Sequence, residues 1–283
     1  IVDGRPHGDA RRYADAVGVA RAKFAEGRVV ATFPAGDRTD WTPGGALRTQ
    51  VPSPCPPGLD GHWLGTDESG HDMVARLFGG FRLLLAAAAI FLPCVYGVGL
   101  LLGAAMGYFG GWFDMVCQRA MEIWSNIPFL YAVIFLASLL EPTLALLILI
   151  LVAFSWIGLA QQLRASAYQV SARDYVTASR SLGAGHARII WRHILPNCAT
   201  VILTTLPFTL HGLVFSLSAL DYLGFGLPPT EPSWGDLLHQ AKENWTAWWI
   251  LGPTLACLVA TMVMINSVGE ALQDAFDLRR AQR

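Results

Sequence analysis

The sequence predicts an all-α integral membrane protein with five visible spans. Three observations carry that prediction. Hydrophobic residues make up 53% of the 283 residues and charged residues only 14%, against roughly 25% charged in an ordinary soluble domain. The charge is unevenly placed: residues 1–80 hold nineteen charged side chains, and residues 81–160 hold five, Arg82, Asp114, Arg119, Glu122 and Glu141. Five stretches without Asp, Glu, Lys or Arg are each near the length that crosses a bilayer core, roughly 20 residues at 1.5 Å per residue.

Residues 1–80 contain no such stretch and are read as an extracytoplasmic segment. The longest uncharged run there, Thr49–Leu59, carries Pro52, Pro54, Pro56 and Pro57. Proline removes a donor and fixes φ, so this run reads as an extended linker ahead of a lead-in helix. The first residues show no signal-peptide pattern. Residues 81–283 form the membrane domain. Its spans are Leu83 to about Phe109, Ile123–Leu140 broken at Pro128, Thr143–Ala160, about Asn197–Leu220 and about Trp248–Val268.

Gly99, Gly103 and Gly107 lie four apart on one face of the first span. That spacing lets another helix approach closely. The fourth span is rich in polar residues, including Thr204, Thr205, Thr209, His211 and Ser216. Such residues suit a bundle interior or a translocation path. His211 has two readings: it lines the path, or it bonds a neighbouring helix.

Arginine placement sets the orientation. The segment Gln161–Pro196 carries Arg164, Arg173, Arg180, Arg188 and Arg192, and the C-terminal tail adds Arg279, Arg280 and Arg283. Both are read as cytoplasmic. The loop Asp221–Ala247 holds only Lys242 among Lys and Arg and is read as outside, with Trp245, Trp248 and Trp249 in an outer interfacial belt.

Segment 161–196 carries the sharpest pattern. From Arg173 to Pro196 it reads as a short helix, a glycine break and a second helix. Asp174 is expected to cap the first helix, and Gly183 to take the left-handed turn at its end. Tyr175, Val176, Ala178 and Leu182 give an apolar face that a solvated loop would not need, which suits docking of a protein partner.

These residues resemble the permease subunits of binding-protein-dependent ABC importers. Their shared loop reads Glu-Ala-Ala, three residues, Gly, nine residues, Ile-x-Leu-Pro. Here Thr177, Ala178 and Ser179 take the first triplet, Gly183 the glycine, and His193, Ile194, Leu195 and Pro196 the end. Thr177 stands where the motif has Glu. The Tyr-Val-x-Ala-x-x-x-Leu-Gly form with His-Ile-Leu-Pro-Asn is typical of the dipeptide/oligopeptide branch. His62–Asp72 looks like the lead-in to that branch's second membrane helix, and Asp221–Gly235 like its outer loop, through Asp221, Gly224, Gly226, Pro228 and Trp234. Glu122–Pro128 and the Phe-Gly-Leu-Pro wording look closest to the Yej subgroup, associated with oligopeptide and microcin C uptake.

The resemblance implies a type I ABC importer bundle with a cytoplasmic coupling helix in segment 161–196. It implies six spans, leaving one more expected ahead of those visible. It implies peptide import across the cytoplasmic (inner) membrane and a second permease subunit, expected as a heterodimer. Two ATPase subunits or one fused ATPase, holding ATP and Mg, and an extracytoplasmic substrate-binding protein complete the set. The implied ATPase-coupling residues are Asp174, Tyr175, Thr177, Ala178, Ser179, Gly183, His193, Leu195 and Pro196.

Other classes fit less well. No Gly-x-x-x-x-Gly-Lys-Ser/Thr loop exists, and neither lysine, Lys23 or Lys242, has a glycine-rich context. ATP hydrolysis therefore belongs to a separate chain, and no cofactor is expected in this one. A net charge of −1 gives no basic field for nucleic acid. Five cysteines, four of them in or beside apolar runs, make no disulfide framework. His62, Asp67, His71 and Asp72 lack a second ligand cluster, so no metal is assigned. An intramembrane enzyme lacks its motifs. An ion-coupled carrier lacks acids inside the spans. Import of nickel or another small solute by the same machinery stays open as an alternative substrate class.

Overall fold

The computed structural model describes residues 22–25, 28–32, 38–40, 54, 56–57, 63–228 and 230–281. Most of Thr49–Leu59, along with His62 and Arg283, lies outside them. Contacts divide the chain into two compact units, Ile1–Phe78 with Leu237–Leu255, and Gly79–Asp236 with Ala256–Arg283.

The first unit holds a small antiparallel sheet of order β1-β2-β3. Its strands are Ala22–Ala25 (β1), Arg28–Thr32 (β2) and Arg38–Asp40 (β3). Lys23 pairs with Val30, and Val30 with Asp40. Val29, Val30 and Thr32 are β-branched and suit a strand.

Residues 63–78 of the same unit form a turn locked by a buried carboxylate. Asp67 accepts from Arg76 Nε at 2.8 Å and from the His71 backbone N–H at 2.7 Å. Glu68 N donates to Gln240 Oε1 at 3.2 Å, and Trp249 Nε1 to the Thr66 carbonyl at 3.4 Å. The Asp72 carboxylate accepts from Val74 N at 2.8 Å and so closes the start of helix α1, Met73–Phe109. That cap explains why the helix begins ten residues before the predicted span.

In the second unit, α1 runs to Gly110, whose φ of +60° turns the chain. Helix α2 (Gly111–Ser125) fills most of the stretch between the first two expected spans, which hydropathy alone reads as a connecting loop. Its fold is secured from outside: Arg164 makes a two-pronged ion pair with Asp114, with Nη2 to Oδ2 at 2.6 Å. Gln118 Nε2 also donates to Asp114, at 3.0 Å. Pro128 stops α2 and opens α3, Phe129–Leu139, at a bend of 67°.

Thr143 caps the next helix, α4 (Leu144–Ser171), by accepting from Leu146 N at 3.3 Å. Then come α5 (Asp174–Ser181), α6 (His186–Ile189), a π-helical turn Ile190–Ile194, α7 (Leu195–Asn197) and α8 (Ala199–Tyr222). The last two helices, α9 (Trp234–Glu243) and α10 (Trp248–Ala281), each contribute residues to both units.

Helices α1, α4, α8 and α10 are long and apolar enough to cross a membrane; the bent pair α2–α3 makes five if counted as one span. The packing of α1 follows one stripe. Leu84, Ala87, Phe91 and Val95 are buried, and Gly99, Gly103 and Gly107 continue it. A Cβ on Gly99 would stand 2.8 Å from Leu159 Cδ2, one on Gly103 2.6 Å from the Ala160 carbonyl, and one on Gly107 2.6 Å from the Arg164 carbonyl. The contacts advance together along both chains, so α1 and α4 run parallel and their C-terminal ends share one side of the bundle.

Candidate functional site

The segment between α4 and α8 is built as a docked helix–turn–helix. Val176, Ile189 and Ile194 are fully buried and join a cluster with Ala104, Tyr108, Leu163 and Ala167. One face of the segment is therefore fixed to α1 and α4. The other face carries Asp174, Tyr175, Thr177 and Ala178, all exposed. Ser179 and His193 are half-buried, Leu195 is buried and Pro196 is exposed. The Tyr175 and His193 rings approach to 6.1 Å, which links the two helices.

Gly183 takes the expected turn, at φ +82°. Ala184 N donates to the Ser179 carbonyl at 3.1 Å and Gly183 N to the Arg180 carbonyl at 3.0 Å, the paired closure of a helix by a left-handed residue. The turn leaves Leu182 89% exposed at its tip, and Trp191 on the second helix is 63% exposed. Asp174 is not the cap. Arg173 holds that place without a side-chain bond, and Asp174 is the first helical residue, where its charge still faces the positive helix end.

Pro196 lies just ahead of the next span. Lacking an N–H, it cannot bond four residues back. The backbone widens into the π turn just before it, and α8 starts at Ala199, after Cys198. Valine at position 183 is strained by about 1–2 kcal/mol in a left-handed conformation. Gly183→Val is therefore expected to lower the thermal unfolding midpoint of the protein in detergent, and an unchanged midpoint would mean that the turn tolerates a side chain.

A cavity of about 440 Å³ lies between α4 and α8. Ser155, Gln162, Thr204, Thr205, Phe208 and Thr209 contribute to its lining. It gathers three of the five path residues read from sequence. His211 and Ser216 are not among the lining residues. His211 Nε2 instead meets the Met262 carbonyl at 3.1 Å, so of its two readings the structure favours the bond to a neighbouring helix. Thr205 and Thr209 each bond the carbonyl four residues back, at 2.9 Å, which keeps their hydroxyls inexpensive in an apolar helix. Ser155, Gly158 and Gln162 were missed in the sequence. Their three-and-four spacing inside α4 was the available signal.

The loop after α8 is organised by Asp221, which is buried. It accepts from Leu227 N at 2.7 Å and from the Ser233 hydroxyl. Gly224 turns the chain at φ +79°. A Cβ on Gly226 would run into Asp221 Oδ1, so only glycine fits there. Trp234 is 3% exposed and stacks on Phe81 at 6.3 Å. Pro228 is exposed in the same loop.

Comparison with known proteins gives the architecture a family. Residues 99–282 match the family model described as binding-protein-dependent transport system inner membrane component. The chain is 42% identical over 223 residues to the peptidoglycan transport system permease protein YejE of Agrobacterium fabrum, covering 78% of this chain and 58% of that one. It is 41% identical over 234 residues to the inner membrane ABC transporter permease protein YejE of Escherichia coli, covering 82% and 68%. The chain thus spans under two thirds of the first relative's length. In fold it is similar to a structure of the MetNI methionine ABC transporter in an inward-facing conformation, with TM-score 0.60 and 19% identity over 72% of this chain and 97% of that one. The chain is a multi-pass integral protein of the inner membrane and belongs to the family of inner membrane components of binding-protein-dependent transport systems.

Proposed function

We propose that this chain is one membrane subunit of an ATP-driven importer that takes peptides from an extracytoplasmic binding protein. The observation that carries the reading is the segment 174–197, buried on one face against α1 and α4 and exposed on the other. The exposed side chains of 174–183, with His193 and Pro196, are the surface that an ATPase subunit, holding ATP and Mg, would grip. Leu182 is the apolar tip of that surface. A second permease subunit, different from this one, would complete the path. The C-terminus and segment 161–196 face the cytoplasm, and residues 1–80 and the Asp221 loop face outside, as the arginine distribution supports.

The cavity supports peptide as the cargo. Its hydroxyls and the Gln162 amide can both donate and accept, which suits main-chain amides regardless of side chain. The Agrobacterium relative is named as a peptidoglycan transport permease, which supports a peptide-bearing cargo. The test is reconstitution of the four-part complex in vesicles with radiolabelled tri-alanine. ATP-dependent accumulation that is lost without the ATPase supports the reading; accumulation that survives its removal overturns it. Leu182→Glu is expected to weaken ATPase co-purification at least tenfold, because a charge replaces the apolar tip of the dock. Unchanged binding would place the grip elsewhere.

A further inference from the structure

The coupling segment is joined covalently to α4, because only Ala172 and Arg173 separate Ser171 from α5. It has no such connection to α1, whose last residue is Phe109. A push on α5 and α6 therefore reaches α4 through the backbone. The segment's own direct contact with α1 is made through side chains.

Those side chains converge on Tyr108, in the last turn of α1. Its ring is 7% exposed and belongs to the cluster that seats Val176, Ile189 and Ile194. Its hydroxyl shares a hydrogen bond with His186 Nδ1 at 2.8 Å. The Arg180 guanidinium lies 4.9 Å from the centre of its ring. Arg180 is on α5 and His186 opens α6, so one tyrosine holds both arms of the segment across the Gly183 turn. Phe109 adds a tilted ring contact with the same imidazole, 5.5 Å between rings. Apolar contacts alone allow sliding, since they have no preferred direction. A hydrogen bond and a cation over a ring face fix both distance and angle.

We propose that Tyr108 is a positioning residue for transport: through His186 and Arg180 it carries movement of the coupling segment into α1, so that α1 and α4 move as a pair. The inference rests on the importer reading above. Tyr108→Phe keeps the ring, its packing and the Arg180 contact and removes only the hydroxyl. His186→Ala removes the same bond from the other side.

The readout needs no knowledge of the cargo. Gly212 lines the cavity, and a side chain there meets open space. In the assembled complex in nanodiscs carrying Gly212→Cys, maleimide labelling of the peptide containing residue 212 is followed by mass spectrometry. ADP is compared with ATP plus vanadate. The parent complex is expected to change its labelling rate between the two states. Tyr108→Phe is expected to reduce that change at least threefold, with ATPase co-purification kept. His186→Ala is expected to do the same, and the double variant no more than either alone. A full change in Tyr108→Phe, additive effects in the double variant, or loss of ATPase binding in Tyr108→Phe overturns the link alone. A parent complex with no nucleotide-dependent change overturns the importer reading and the link together.

Discussion

Replacing Gly103 with valine is expected to break the bundle, with a cost of about 3 kcal/mol or more. The Cβ would stand 2.6 Å from the Ala160 carbonyl oxygen and 3.0 Å from Leu163 Cβ. Neither is the tip of a flexible side chain. The two helices must separate, and every contact along the stripe from Gly99 to Gly107 loosens with them. Gly97 supplies the control on the same helix, because nothing lies within 4 Å of a Cβ placed there. Gly97→Ala is expected to be neutral, or stabilising by up to about 1 kcal/mol through helix propensity. Thermal unfolding in detergent, followed by size-exclusion recovery, separates the two variants. Equal midpoints would mean that α1 and α4 do not pack through these glycines.

The same glycines show what a sequence can disclose. Their spacing declares a close helix contact, and α4 supplies it. Gly183 is legible for a similar reason: left-handed backbone is a local property, and glycine at a helix end advertises it. The charge-free stretches locate the long helices because each must satisfy its backbone internally. Boundaries were harder. α2 is a helix where hydropathy alone reads a loop, and part of the reason is non-local: Asp114 is anchored by Arg164, fifty residues on. Likewise α1 starts early because Asp72 caps it, a polar event ahead of the apolar run that hydropathy detects.

The site divides along the same line. Residues 174–183 could be found because their pattern is contiguous. The cavity could be only half found, because α8 shows its polar residues openly while α4 hides Ser155 and Gln162 in an apolar helix. His211 was visible, but its partner is the Met262 carbonyl, and a main-chain group leaves no mark in a sequence. The pairing of Tyr108 with His186 depends on two helices meeting, and neither residue is unusual where it stands.

Asp221→Ala is expected to release the loop between Tyr222 and Trp234, costing about 3 kcal/mol. The carboxylate ends α8 and receives two donors, Leu227 N and the Ser233 hydroxyl. Alanine leaves both donors without this acceptor in a place with little water. It also empties the volume against which Gly226 is pressed. Asp221→Asn should cost roughly half as much, since its carbonyl oxygen still accepts from Leu227 N and its amide can donate to the Ser233 oxygen. Ser233→Ala removes one donor but takes the acceptor from Gly235 N, which donates to it at 3.2 Å, so it should cost about as much as Asp221→Asn. That ranking, with Asp221→Ala worse than both other variants, follows from the number of donors left unpaired. Limited proteolysis between residues 222 and 234 reads it directly. Cleavage is expected to quicken about tenfold or more in Asp221→Ala, which corresponds to about 1.4 kcal/mol or more of local opening. A protease-resistant loop in that variant would show that Trp234, stacked on Phe81 and pressed on Gly80, holds it without the aspartate. The loop would then be an apolar latch, and the Asp221 bonds would only refine its shape.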